Sequence, residues 1–98
     1  MADIRFEWHP AKNRANRRKH GVSFEEAETV FADEHALLID DPDHSATEAR
    51  FVLLGLSVRF RVLLVVHSYR ESDAVIRIIS ARRASKPERR RYDERWRT

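Results

Sequence analysis

Basic side chains that could bind phosphate are concentrated toward the C-terminal end of the sequence. Arginine offers a planar fork that binds phosphate bidentately and stacks on bases, so the cluster indicates a polyanionic partner. Arg77 lies inside the otherwise apolar segment VIRIIS, where either an acid must pair with it or it must line a cleft. Arg82 and Arg83 stand where that segment ends and a fixed backbone can aim them. The cluster comprises Arg77, Arg82, Arg83, Lys86, Arg89, Arg90 and Arg91.

A second basic group lies near the N-terminus, in a segment whose pattern predicts a helix. Lys12, Asn16 and Lys19 are spaced i, i+4, i+7 and therefore share one helix face. We expect this face to contact phosphates. The alternative is a solvated helix that packs only through its two alanines, Ala11 and Ala15.

Three side chains are candidates for proton transfer. His20 ends the basic helix, and histidine is the side chain whose charge ordinarily changes between pH 5 and 8. The alternative is that His20 only interacts with the end of its helix. Glu48 is the rival base, at a predicted junction between loop and strand, and Tyr92 is a possible proton donor.

Several chemistries lack their usual residues. The chain has no cysteine, which excludes a thiolate nucleophile and a disulfide scaffold and fits a reducing cytoplasm. None of the five histidines forms an H-x-H or H-x-x-x-H pair, so we expect no metal site. Gly21 and Gly55 are the two glycines, too few for a glycine-rich phosphate loop, and we expect no cofactor.

RNA is the substrate whose cleavage demands least of such a protein. The 2′-OH of RNA can attack the adjacent phosphate, so the protein need supply only a base, an acid and cations for the developing charge. DNA lacks this hydroxyl, and its cleavage usually requires metal ions. A small basic domain could therefore be a metal-independent ribonuclease.

Length and charge distribution agree with a single nucleic-acid-binding domain over residues 1–98. Residues 1–20 hold six basic and two acidic residues, residues 21–50 hold one and nine, and residues 51–98 hold twelve and five. The basic residues are 16 arginines and three lysines, a bias that GC-rich codon usage would also produce. The N-terminus shows no secretory signal, and the longest strongly apolar run, Val62 to Val66, is too short to span a membrane.

The elements that must position these residues are predicted by periodicity and capping signals. Gly21 is predicted to end the first helix, and Ser23 with Glu26 forms a capping box for the second. The buried stripe predicted for the second helix is Phe24, Ala27, Val30 and Phe31. Ser85 with Glu88 forms another capping box for the last helix. Strands are predicted over 3–8, 36–39, 49–56, 61–69 and 74–81, and helices over 10–20, from 23, and from 85 to the end.

The predicted order is β-α-α-β-β-β-β-α, which belongs to the α+β class. Because the last four strands follow one another through short connections, we expect an antiparallel meander packed by helices. The predicted loop over 40–47 and the predicted turns near 57–60 and 71–73 join these strands.

Three segments resemble a known family over nearly the full length of the chain. They are residues 6–31, 41–57 and 76–94, and the runs NRRKHGVSF and IRIISARRA are their most specific parts. The chain resembles the BrnT toxins, ribonucleases of bacterial type II toxin–antitoxin systems. His9 and His67 depart from the family pattern, in which an acidic residue and an aromatic or aliphatic residue are more usual.

The resemblance implies a RelE/ParE-like toxin fold, RNA cleavage, growth arrest and neutralisation by a BrnA-like antitoxin with a ribbon-helix-helix part. It also implies that operator DNA is bound only through the antitoxin complex. We expect the free toxin to be monomeric. The alternatives are a non-catalytic binding module and a gyrase inhibitor of the same fold.

The sequence thus yields two sets of candidate site residues. Arg82 and Arg83 are expected to contribute most to stabilising transition-state charge. The catalytic candidates are Arg82, Arg83, His20, Lys19, Glu48 and Tyr92. The candidates for RNA binding are Lys12, Asn16, Arg50, Arg77, Lys86 and Arg89.

Overall fold

A computed structural model describes residues 4–40, 49–70 and 74–96 of the chain. Glu48, most of the predicted loop over 40–47 and the predicted turn over 71–73 lie outside the described residues. In chain order the elements are β1 (Arg5–Glu7), α1 (Pro10–His20), α2 (Phe24–Thr29), a 3-10 turn (Val30–Ala32), β2 (Leu37–Asp40), β3 (Phe51–Leu56), β4 (Val62–Arg70), β5 (Val75–Arg83) and α3 (Lys86–Trp96). The predicted mixed α+β class is confirmed, and the 3-10 turn is an addition to the predicted elements.

Five strands form one sheet in the part of the chain that the structure describes, in the spatial order β1-β5-β4-β3-β2. Strands β2 to β5 form an antiparallel meander, as their short connections predict. Strand β1, which the predicted meander did not include, pairs parallel to β5, with Glu7 opposite Arg77. A parallel neighbour is possible here because two helices and the meander separate β1 from β5 along the chain.

The main core lies between α2 and one face of the sheet. Of the predicted stripe, Phe24 and Ala27 of α2 and Val30 of the 3-10 turn are completely buried, and Phe31 is partly buried and packs against them. They pack with Leu63 and Ile78 of the central strands. None of the helices in the described ranges is long and apolar enough to cross a membrane.

Helix α1 is attached to this core through amides rather than through apolar side chains. Asn13 Nδ2 donates to Glu25 Oε1 at 2.8 Å, and Asn13 Oδ1 accepts from Phe24 N at 2.9 Å. Ala11 and Ala15 are both exposed. The helix therefore does not pack through its two alanines, as the alternative interpretation expected. The helix ends at Gly21, whose φ of 71° is the left-handed conformation predicted there.

A histidine is fully buried on the same face of the sheet. The His67 ring contacts the rings of Phe31, Phe51 and Tyr69, with centroid separations of 4.8, 6.2 and 5.2 Å. Its Nδ1 lies 3.2 Å from the carbonyl oxygen of Val65, and its Nε2 lies 3.2 Å from the Tyr69 hydroxyl. Burial lowers the pKa of His67, and the hydrogen bond to Val65 only partly opposes this.

His67 should make the protein less stable in mild acid. In the unfolded chain a histidine takes up a proton as the pH falls through about 6.5, but buried His67 does so only at lower pH. The unfolded state therefore binds more protons in this window, and the free energy of unfolding is expected to decrease from about pH 7.5 to about pH 5.5. Urea unfolding at both pH values measures the decrease, and His67→Phe should show a smaller one. Equal decreases in the two proteins would contradict the assignment.

Candidate functional site

A basic groove lies where the end of β5, the start of β4 and the first turn of α3 meet. It encloses about 440 Å³. Leu63 of β4 is paired with Arg83 of β5, and Ala84 N donates to Val62 O at 2.9 Å, so the sheet backbone continues to the edge of the groove. The lining residues are Phe60, Arg61, Val62, Arg83, Ala84, Lys86 and Arg89. Three predicted site residues, Arg83, Lys86 and Arg89, are thus brought together.

The first turn of α3 is capped by the predicted pair. Ser85 Oγ accepts from Glu88 N at 3.3 Å, and Glu88 Oε1 accepts from Ser85 N at 2.8 Å. Arg82 donates from both terminal nitrogens to the two oxygens of Glu88, each at 2.9 Å. The hydrogen bonds from Arg82, followed by those from Ser85, lower the pKa of Glu88 to about 2 against the opposing effect of burial. This pairing fixes the direction in which α3 leaves β5.

The structure therefore gives different roles to Arg82 and Arg83, which the sequence analysis placed in one group. The guanidinium of Arg82 binds Glu88 bidentately and positions α3. Arg83 is exposed, and its guanidinium has no hydrogen-bond or ion-pair partner among the described residues. Lys86 and Arg89 are also exposed and have no such partner within the described ranges. These three cations are available to an anionic ligand.

A buried carboxylate holds the β3–β4 hairpin that forms one side of the groove. Glu26 is 6% exposed and accepts hydrogen bonds from Arg61 on both carboxylate oxygens. It also accepts from Ser57 Oγ at 2.7 Å. Burial raises the pKa of Glu26, but the hydrogen bonds from Arg61 and Ser57 outweigh it, so that the pKa lies below its usual value.

The capping box predicted at the start of α2 is only half formed. Ser23 Oγ accepts from Glu26 N at 3.0 Å, as predicted. The Glu26 side chain, however, binds Arg61 instead of returning to the start of its own helix. A local motif could not show this, because Arg61 lies 35 positions further along the chain.

A second basic pocket lies beside β5, away from the groove. Arg77 donates to Glu7 Oε2 at 3.1 Å, and Arg70 donates to the same oxygen at 2.7 Å. Arg77 thus both pairs with an acid and lines a cleft, which were the two possibilities that its apolar segment left open. The basic lining residues are Lys12, Arg50, Arg70 and Arg77. Three predicted RNA-binding residues meet here, together with Arg70, which the sequence interpretation missed.

Asn16 does not belong to a phosphate-binding surface. It is 8% exposed, and its Nδ2 donates to Val22 O and Ala81 O, each at 2.8 Å. Its Oδ1 accepts from Ala81 N at 3.2 Å. Because this amide already joins α1 to β5 in the interior, the expectation that it shares the exposed face of Lys12 and Lys19 is corrected.

Tyr92 is likewise an internal residue and not an available proton donor. It is 3% exposed, and its hydroxyl donates to Asp33 Oδ2 at 2.6 Å. Asp33 also accepts from the backbone N–H groups of Leu56 and His35. Burial raises the pKa of Asp33, but these hydrogen bonds, the one from Tyr92 first, hold it below its usual value. Tyr92 thus attaches α3 to the rest of the fold.

The remaining proton-transfer candidates are Lys19 and His20, which the structure describes, and Glu48, which lies outside the described residues. His20 and Lys19 form the C-terminal end of α1, with Lys19 exposed and His20 half-buried. Neither lines the basic groove or the second pocket. Glu48 is not described. No three His, Asp or Glu side chains of the described ranges are grouped so that they could hold a metal ion.

Comparisons with known proteins agree on one family and one fold. Residues 8–88 match the family model described as the ribonuclease toxin BrnT of type II toxin–antitoxin systems. The crystal structure of the Brucella abortus ribonuclease toxin BrnT is similar, with a TM-score of 0.64 and 21% sequence identity. The match covers 85% of this chain and 99% of that one. At this identity the likeness shows the fold alone. No curated protein matches the sequence.

Proposed function

The chain belongs to the BrnT family of ribonuclease toxins of type II toxin–antitoxin systems, and from this we propose that it cleaves RNA at the basic groove without a metal ion. The observation that supports the groove is the presence of three exposed cations, Arg83, Lys86 and Arg89, around one cleft. A rigid strand end and a capped helix hold their backbones. Cations carried on such a backbone can stabilise charge that develops on a reacting phosphate.

The proposed reaction is attack by the RNA's own 2′-OH on the adjacent phosphorus. The bond from O2′ to phosphorus forms, and the bond from phosphorus to O5′ breaks. A base takes the proton of the 2′-OH, and an acid protonates the departing 5′ oxygen. The products are a 2′,3′-cyclic phosphate and a 5′-OH end. Arg83, Lys86 and Arg89 would stabilise the negative charge that accumulates on the phosphorane oxygens.

We keep His20 and Glu48 as the proposed proton-transfer groups, with Lys19 as an additional cation at the end of α1. His20 directly precedes Gly21, whose carbonyl oxygen accepts from the groove residue Arg61 at 3.1 Å, so the end of α1 adjoins the groove. Tyr92 is removed from this set because its hydroxyl is engaged with Asp33 in the interior. Lys12, Arg50 and Arg77 are proposed to bind RNA backbone away from the scissile bond. Their pocket carries more positive charge than the Glu7 carboxylate neutralises.

Incubation of the purified protein with RNA in the presence of EDTA tests the mechanism. We expect cleavage to continue, and the fragments to carry 2′,3′-cyclic phosphate ends or the monophosphates formed by their hydrolysis. A matched RNA with a single 2′-deoxynucleotide at the cleaved position should resist cleavage there, because the attacking group is missing. Activity that EDTA abolishes and Mg²⁺ restores would falsify the metal-independent mechanism.

We further propose that the antitoxin is a BrnA-like protein with a ribbon-helix-helix part, and that an acidic segment of it covers the basic groove. Opposite charges speed such capture and favour the correct partner. Because ribbon-helix-helix parts are dimeric, an antitoxin dimer would bridge two toxin chains. Operator DNA would then be contacted through the antitoxin.

A further inference from the structure

Phe60 has an unusual position in the fold. It is 85% exposed in the β3–β4 hairpin and lines the basic groove. Its φ is 61°, and it is the only non-glycine residue with a positive φ among the described residues. A bulky side chain is disfavoured in this conformation, whereas glycine adopts it freely. An aromatic residue that is both strained and exposed contributes nothing to the core, which suggests that it serves a function at the surface.

The hairpin around Phe60 is held firmly. Phe60 N donates to Ser57 O at 2.9 Å, and Ser57 N donates to Arg61 O at 2.9 Å. Glu26 binds the side chains of both Ser57 and Arg61. The backbone that carries the Phe60 ring is therefore held on both sides. Less conformational entropy is lost when a ligand binds to a residue held in this way.

The surroundings of Phe60 favour a nucleic acid over a protein segment. The other basic side chains that line its groove, Arg83, Lys86 and Arg89, have no acidic partner among the described residues, whereas Arg61 is neutralised by Glu26. An exposed aromatic face beside unpaired cations is the arrangement that binds single-stranded nucleic acid, with bases on the ring and phosphates on the cations.

The apolar surface that a protein partner would prefer lies on the other side of the same hairpin. Val58 is 66% exposed and lines a separate pocket with Ile4, Phe6, Phe31 and other residues, none of them basic. Phe60 does not line that pocket. The hairpin thus separates an apolar surface, marked by Val58, from a cationic one, marked by Phe60.

We propose that Phe60 is a stacking platform for one base of single-stranded RNA, whose neighbouring phosphates bind Arg83, Lys86 and Arg89. This inference rests on the proposed function and adds how the substrate is held. Stacking accepts every base, with purines held more tightly because their rings are larger. RNA must be single-stranded at this point for a base to reach the ring.

Binding of two oligonucleotides of equal length tests the platform. One is a 2′-O-methyl oligoadenylate, which cannot be cleaved by its own 2′-OH, and the other is an abasic strand with the same phosphates. Phe60→Ala should weaken binding of the oligoadenylate by about 5- to 150-fold, the range for one stacked base, and leave the abasic strand unaffected. Phe60→Trp should retain binding of both. Val58→Ala, on the same hairpin, is the matched control and should bind both strands as the wild type does.

Phe60→Gly separates stacking from folding. Glycine suits a φ of 61°, so this variant should be at least as stable as the wild type and still lose affinity for the oligoadenylate. If Phe60→Ala binds both strands like the wild type, or weakens both equally, the stacking platform is overturned. Unchanged oligonucleotide affinity together with weaker antitoxin binding would overturn it as well, since Phe60 would then belong to the protein interface.

A parallel cleavage assay distinguishes failure of this inference from failure of the proposed function. If the wild type cleaves RNA and the Phe60→Ala variant binds the oligoadenylate normally, the stacking platform is overturned and the proposed function stands. If the wild type does not cleave RNA but binds the oligoadenylate through Phe60, the proposed function is overturned and the stacking platform stands. A wild-type protein that does not bind the oligoadenylate overturns the platform.

Discussion

Replacing Arg83 with alanine is expected to lower the rate constant for RNA cleavage by about 10²–10³. Arg83 is exposed at the groove, and its guanidinium has no partner among the described residues. Its backbone is held by pairing with Leu63 of β4. Because its backbone is held and its guanidinium is free, Arg83 can bind the charge that develops in the transition state, which is why its loss is expected to be costly. Single-turnover cleavage with saturating protein measures the effect on the chemical step.

Arg82→Ala is the matched control for this prediction, because it removes the same charge one residue away. Arg82 is engaged with Glu88, so its loss should first loosen the start of α3 and lower the thermal stability of the protein. Arg83→Ala should leave thermal stability unchanged, since no described contact of its guanidinium is lost. Wild-type cleavage by a folded Arg83→Ala variant would show that the groove is not the site of the reaction.

The local signals in the sequence predicted the elements well. Gly21 ends α1 and the Ser85–Glu88 pair caps α3, because each signal depends on residues within one turn of a helix. The α2 stripe is also buried as its period predicts. Such signals indicate where a helix begins and ends and which of its faces is buried, and they do not depend on the other elements.

The candidate site was harder to predict than the helices and strands. Contacts between residues far apart in the sequence determine which side chains remain available to a ligand. Helical spacing placed Lys12, Asn16 and Lys19 on one face, but it could not show that Asn16 bonds to Ala81 of β5, 65 positions away. The parallel pairing of β1 placed Glu7 beside Arg77, a neighbour that no local pattern indicates. An amide or a carboxylate can form hydrogen bonds with a distant residue of the chain as readily as with a ligand. Residue type and spacing alone therefore could not distinguish a structural role from ligand binding.

The strain at Phe60 also has no signal in the sequence. The segment around 57–60 predicted a turn, but only the backbone shows that a phenylalanine occupies the position that glycine would prefer. A hairpin that keeps such a residue must be stabilised elsewhere. We expect the hydrogen bonds from Ser57 and Arg61 to Glu26 to supply that stabilisation.

Glu26→Gln is therefore expected to lower the free energy of unfolding by about 3–5 kcal/mol, the usual effect of removing one partner of a buried ion pair. The side chains of Glu26 and Arg61 are 4% and 17% exposed, so the glutamine variant leaves the partly buried Arg61 charge without its counter-ion. Because a domain of this size has about 5–15 kcal/mol of stability in total, the variant should unfold at much lower urea concentrations.

The same change should also alter the dependence of stability on pH. The pKa of Glu26 is lowered on folding, so its contribution is fully present above the carboxyl's ordinary pKa of about 4.3 and is lost as the pH falls through the lower folded value. The wild type should therefore lose stability in this acidic range more steeply than Glu26→Gln. Urea unfolding of both proteins across the range measures the difference.

Two further variants show whether the ion pair itself is responsible. Glu25→Gln, an exposed neighbour on the same helix, should change the unfolding free energy by less than about 1 kcal/mol, because its partner Asn13 can still donate to the new amide oxygen. Glu26→Leu combined with Arg61→Met should recover much of the loss, since a buried pair can be replaced by apolar side chains of similar size. Equal stability of Glu26→Gln and Glu25→Gln would mean that the hairpin presenting Phe60 is held by its own backbone and not by Glu26.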